Sequence, residues 1–108
     1  MIREGITPTA ATAYMGMYTG DQRLEYEARP STGAGMSWES GVHVQAPYWM
    51  KLVRVGNVFT GYGSPDGITW TQVGTAQTIT MGTTAYAGLA VTSASSSTNT
   101  AVTFDNVR

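Results

Sequence analysis

Residues 46–74 read APYWMKLVRVGNVFTGYGSPDGITWTQVG, three segments of strand-like alternation separated by two turn signals. The pattern predicts a β-meander. Gly56-Asn57 is a two-residue hairpin turn, since both residue types tolerate positive φ, and it sets Val55 opposite Val58. That register puts Met50, Leu52 and Phe59 on one face, with Gly61 and Gly63 opposite Leu52 and Met50. Glycines there leave room for large side chains descending from a second sheet, so this face is expected to be the core. The other face carries Trp49, Lys51, Val53 and Val55 beside Val58, Thr60 and Tyr62. In Ser64-Pro65-Asp66-Gly67, Pro fixes φ at the second position and Gly accepts positive φ at the fourth, as in a type I turn followed by a bulge. With that bulge Trp70 lands beside Tyr62; a two-residue turn would send it to the core instead. Trp49, Tyr62 and Trp70 then form an apolar platform across three strands about 5 Å apart, edged by Lys51, Thr60 and Gln72.

Outward from the meander, similar short runs recur and no stretch shows helical spacing of apolar residues. The expected strands are Met1 to Glu4, Thr12 to Thr19, Arg23 to Ala28, Met36 to Glu39, Val42 to Gln45, the three of the meander, Gln77 to Met81, Ala85 to Thr92, and Thr100 to Val107. In the second, Tyr14, Gly16 and Tyr18 face away from Ala13, Met15 and Met17. In the third, Leu24, Tyr26 and Ala28 oppose a charged face of Arg23, Glu25 and Glu27. Arg29 to Gly35 and Ser93 to Asn99 read as polar connections. With no repeat and no linker-like shift in composition, residues 1–108 are expected to form a single β-sandwich domain.

Composition narrows the function. Six Lys+Arg against seven Asp+Glu are scattered, which leaves no basic stripe for nucleic acid. No segment has the length of a membrane span, and residues 1–5 carry no secretory leader. The absence of cysteine removes disulfides, thiol nucleophiles and thiolate metal sites. Charged residues are only 12% of the chain while Thr, Ser and Gly are plentiful, a composition frequent in secreted β domains, so an extracellular location is expected.

Catalytic candidates are few. Glu25 and Glu27 project from one strand face about 7 Å apart, between the retaining and inverting glycosidase separations. His43 is the only histidine, which excludes sites of two or three imidazoles and leaves a Ser-His-Asp triad without a supporting motif. No residue is assigned a catalytic or metal-ligating role, and no cofactor is expected. Calcium is the one candidate ion, because Asp21, Asp66, Asp105 and Asn106 sit in turns or at a strand end, where ordinary turn chemistry also accounts for them.

The run from Pro47 to Gly74, with residues 86–93 (YAGLAVTS) and 103–107 (TFDNV), resembles the concanavalin-A-like, laminin-G-like β-sandwich modules attached to many secreted bacterial proteins. The resemblance implies an antiparallel jelly-roll sandwich that is non-catalytic and binds carbohydrate or serves as an accessory. The related jelly-roll glucanases carry a Glu-x-Asp-x-Glu strand, whereas here the series stops at Glu27 and continues Ala28-Arg29. Such modules also have several strands before the segment resembling residues 1–4, so the sandwich is expected to lack strands and to expose edges that template pairing. Two functions stand: a polysaccharide-contacting module using Trp49, Tyr62, Trp70, Lys51 and Gln72, or a self-assembling subunit, dimer or filament, completed by strand pairing between copies.

Overall fold

The structure, a computed structural model, describes residues 1–108. It contains eight strands and no helix: β1 (Ile2–Arg3), β2 (Thr12–Tyr18), β3 (Arg23–Arg29), β4 (Ser37–His43), β5 (Trp49–Val55), β6 (Val58–Ser64), β7 (Thr71–Thr78) and β8 (Tyr86–Ala87). They form two antiparallel sheets, one ordered β4-β3-β2-β1-β8 and one ordered β5-β6-β7.

The meander supplies the smaller sheet, and its register follows the alternation. Val55 pairs with Val58 across Gly56-Asn57, and the ladder runs on through Leu52 opposite Gly61 and Met50 opposite Gly63. Only Gly56 takes a positive φ, +60°, which is the signature of a type II′ turn. Asn57 serves elsewhere: its carbonyl accepts from the Ile79 amide at 2.8 Å, tying down the chain beyond β7.

The two sheets meet through complementary sizes. Leu24, Tyr26 and Ala28 of β3 and Ala13 and Met15 of β2 face inward and are buried. Opposite them lie the bare backbones of Gly61 and Gly63. A side chain at 61 would approach Met15 Sδ at 2.9 Å and the Tyr26 ring at 3.0 Å, and one at 63 would overlap Leu24. Tyr26 also donates its hydroxyl to the Phe59 carbonyl at 2.9 Å, a buried bond from one sheet to the other. Phe59, Ile79 and Met81 close the bottom of the core, and Arg54 covers it, donating to the carbonyls of Met81 and Gly82 at 3.0 and 2.7 Å.

One long side of the sandwich is held by Glu39. This β4 residue pairs with Tyr26, shares its inward face, and reaches across to a bulge in β7, where the register shifts between Phe59 and Gly61. The carboxylate accepts from the Thr75 amide at 3.1 Å, the Thr75 hydroxyl at 3.0 Å and Gln77 Nε2 at 3.3 Å. Gly74, at φ +68°, lets the bulge lie against Glu39 and Tyr26.

Four expectations from the sequence are corrected. Met36 to Glu39 and Val42 to Gln45 are not two strands: Ser37–His43 is one, and Gly41 is absorbed in a bulge where Arg23 pairs with His43 and Glu25 with Ser40. A side chain at 41 would meet Val73 at 2.9 Å, so the glycine marks a close approach of the sheets and not a chain reversal. Gln77 to Met81 is not a strand of its own, because Gln77 and Thr78 end β7 and residues 79–81 lie beyond it; Ala85 to Thr92 shrinks to Tyr86–Ala87, and Thr100 to Val107 forms no strand. Alternation gives a segment the capacity to pair but does not supply the neighbouring backbone, and beyond Gly88, which bonds to Met1, these residues make no backbone hydrogen bond to another segment. Leu89 and Val107 accordingly stand 59% and 64% exposed, and Val91, Val102 and Phe104 are also exposed. The core is thin as a result, with 17 of 108 residues buried.

Candidate functional site

The platform residues lie on the outward face of the smaller sheet, none of them between the two layers. Lys51 pairs with Tyr62, and Tyr62 pairs with Gln72, giving one row across β5, β6 and β7. Trp49 pairs with Ser64 in the next row. Trp70 is the residue before β7, and extending the ladder one step beyond the Gly63–Thr71 pair brings it to the level of Ser64. The indole is therefore one row away from the position directly beside Tyr62 that the turn chemistry predicts, though on the same face. The cause is the loop, which runs six residues from Pro65 to Trp70.

That loop is rigid by construction. Ser64 is fully buried, and its Oγ accepts from the Gly67 amide at 2.9 Å while donating to Asp66 Oδ1 at 2.9 Å. The same Oδ1 accepts the Ile68 and Thr69 amides, both at 2.8 Å. These backbone donors, Thr69 first, hold the exposed Asp66 carboxyl down at about 2. Gly67 sits at φ +74°, and a side chain there would press on the Trp49 indole at 2.9 Å, so the turn and Trp49 fix each other.

Lys51 organises the rings. Its Nζ lies 4.2 Å from the Trp70 ring centroid and 4.9 Å from that of Tyr62, an attraction of about 0.5–1 kcal/mol at a half-exposed site. Gln72 is exposed, and its Nε2 donates to the Gly74 carbonyl at 3.0 Å. The assembled patch thus offers half-buried aromatic surface at Trp49, Tyr62 and Trp70, one ammonium over the rings, and one amide at the rim. It can stack against the apolar face of a sugar ring and offer N–H donors to its hydroxyls.

The remaining candidates are distributed elsewhere. Glu25 and Glu27 share the outer face of the larger sheet, where burial and then the charge of Glu25 raise the Glu27 carboxyl. His43 Nδ1 lies 2.8 Å from the Asp21 carbonyl, and Asp21 is ion-paired with Arg23. Asp66 is committed to its own turn, Asp105 and Asn106 are exposed near the C-terminus, and no three Asp, Glu or His side chains converge as a metal site. Two shallow clefts open at the sides of the sandwich. One, of about 470 Å³, involves Gly41, Tyr48, Gly63 and Val73; the other, of about 400 Å³, is lined by Met1, Ile2, Leu52, Ala87, Leu89 and Val107. The first reaches Gln72 at the rim of the platform, and the second touches no platform residue.

Trp38, which with Tyr48 flanks the Gly41 to Pro47 segment and by sequence could equally wedge a loop or touch a ligand, projects outward from β4 opposite Glu27. Reading residues 37–43 as one strand would have shown Trp38 and Ser40 alternating with Glu39. No protein-family model, curated protein or solved structure matches this chain.

Proposed function

We propose that this chain is a non-catalytic, extracellular carbohydrate-binding or accessory module of the jelly-roll, concanavalin-A-like kind, and that it contacts polysaccharide through Trp49, Tyr62 and Trp70. The observation that carries this reading is the collection of those three rings with Lys51 and Gln72 on one solvent-facing patch. Lys51 holds the rings and presents an ammonium to hydroxyl acceptors, while the Asp66 turn keeps Trp49 and Trp70 in place without a ligand. Pre-organisation of this sort lowers the entropy cost of binding. The pair Glu25 and Glu27 has no third carboxylate on its strand, and the single histidine is bound up with Asp21, which favours binding over hydrolysis.

The test is a titration of neutral glucan, xylan and galactan oligosaccharides against tryptophan emission in a W38F background, so that only Trp49 and Trp70 report. A saturable change is expected, weakened at least tenfold by W70A, a loss of about 1.4 kcal/mol. A flat response across all three polymers refutes the proposal.

A second reading is favoured by a separate observation: Leu89, Val91, Val102, Phe104 and Val107 are exposed along a segment with strand-like alternation and no strand partner. In this reading the chain is a structural subunit whose open side pairs with another copy. Light scattering distinguishes the two. Concentration-dependent growth of the particle supports assembly, and a monodisperse monomer at high concentration removes it.

A further inference from the structure

The outer face of the larger sheet carries a second aromatic arrangement with the opposite charge. Tyr14 on β2 pairs with Glu27 on β3, and Glu27 pairs with Trp38 on β4, so the three form one straight row: aromatic, carboxylate, aromatic. Glu25 stands in the adjacent row between Gly16 and Ser40. The Tyr14 ring fills the space that a side chain at 16 would take, so it lies down along the sheet instead of standing off it. Trp38 is 66% exposed.

The two carboxylates are uncompensated. Neither takes part in a hydrogen bond or an ion pair, because the guanidiniums on the same strand are directed elsewhere. Arg23 goes to Asp21 and to Ser40 Oγ at 3.1 Å. Arg29 donates to the carbonyls of Ala34, Pro8 and Ala10 at 2.9, 2.8 and 3.3 Å. On the smaller sheet the rings of Tyr62 and Trp70 already hold the chain's own Lys51; on the larger sheet the rings of Tyr14 and Trp38 flank two carboxylates that no cation pairs, the Arg23 guanidinium on the same face being held by Asp21 and Ser40.

The shape of the face selects the kind of cation. Over Tyr14 and Glu27 an extended peptide would find its backbone groups without partners, since the central strands β2 and β3 are already paired on both sides and only the outer edge of β4 is open. A polymer that binds through ring faces and pendant groups needs no backbone pairing. The backbones at Tyr14 and Trp38 are two strand spacings apart, about 10 Å, a separation on the scale of alternate pyranose rings in an extended β-linked chain.

We propose that this face binds a β-linked polymer of amino sugars bearing free ammonium groups, with sugar rings over Tyr14 and Trp38 and the ammonium groups on Glu27 and Glu25. A neutral sugar offers only hydroxyls to two adjacent like charges, whereas an ammonium supplies both the counter-charge and the donors. The arrangement is separate from the Trp49, Tyr62 and Trp70 platform and stands or falls independently of it.

The experiment is calorimetric titration of the full chain at about pH 6, above the ordinary carboxylate range, with a glucosamine hexamer, its fully N-acetylated counterpart, a glucose hexamer and a lysine-rich peptide. The glucosamine hexamer is expected to bind at least tenfold more tightly than the other three, with an affinity that falls as salt is added. E27Q and E25Q are each expected to weaken it about tenfold. W38A removes an exposed side chain, so the variant folds; it is expected to abolish binding, while I6A, which removes an exposed side chain outside both aromatic arrangements, leaves binding unchanged. Equal binding of the free and acetylated oligomers, tighter binding of the peptide, loss with I6A but not with W38A, or no binding of the glucosamine hexamer would each overturn the proposal.

Discussion

Replacing Tyr26 with Phe deletes one hydroxyl from the middle of the sandwich and puts the inter-sheet bond to the test. The ring is 1% exposed and its hydroxyl donates to the Phe59 carbonyl at 2.9 Å, at the place where the β6–β7 ladder shifts register. Without the hydroxyl that buried carbonyl loses a donor that water cannot replace. The expected cost near neutral pH is about 1–2 kcal/mol, or roughly 5–12 °C in Tm for a domain of this length. The pH dependence gives a sharper check. Burial pushes the Tyr26 phenol up from 10.0 to about 12, opposed by the backbone at Gln77 and reinforced by Glu39. Because the folded value is the higher one, the phenol's contribution is complete below pH 10.0 and is lost as pH rises through about 12. Between those limits the native protein loses about 1.4 kcal/mol per pH unit relative to the variant. The penalty of Y26F should therefore shrink above pH 10 and vanish near about pH 11. Urea unfolding of both proteins from neutral pH to about pH 11, followed by tryptophan emission, measures it. A penalty that stays constant across that range would show that the phenol is not sealed in the core, and the account of how the sheets are joined would fail.

Two further outcomes follow from the glycines and the Asp66 turn. G63A should cost about 2 kcal/mol by forcing Leu24 aside, whereas G88A, where an added carbon meets nothing within 4 Å, should change stability by less than about 0.5 kcal/mol; equal effects in thermal melts would contradict the inward assignment of Gly63. Asp66 is held at about 2 against its ordinary 3.8, so the order it gives the loop is present above 3.8 and is lost as pH falls through about 2. Tryptophan emission should change over that acid range in the native chain and not in D66A, and identical acid titrations would refute the role given to its carboxylate.

Much of this was legible in the sequence where local chemistry and period agree. Gly56-Asn57 fixes the Val55–Val58 pair, every face of β5 and β6 follows from it, and the glycines opposite Met50 and Leu52 mark the inward side. Face alternation in β2 and β3 was equally readable. The position of Trp70 was less so, because the side-chain bonds of Ser64 and Asp66 stabilise a longer loop than the four turn residues define. Gly41 was misleading for a related reason: a glycine at a bulge and a glycine between strands look alike until a neighbour such as Val73 is seen pressing on it. Glu39 could not be found from pattern at all. Its value lies in Thr75 and Gln77, partners more than thirty residues away that only the stacking of the sheets brings within reach.

The two flanks of the sandwich are secured unequally, and tension on the chain will register the difference. Force applied between the ends reaches β8 and β1 first, ladders of two residues each, with Met1 and Gly88 beside them exchanging two further bonds. Beyond them lie seven-residue strands and the flank clasped by Glu39, which must yield together. Stretched in this way, the molecule should let out its final two dozen residues at low force and then resist as one block, a yielding leash in front of a stiff anchor.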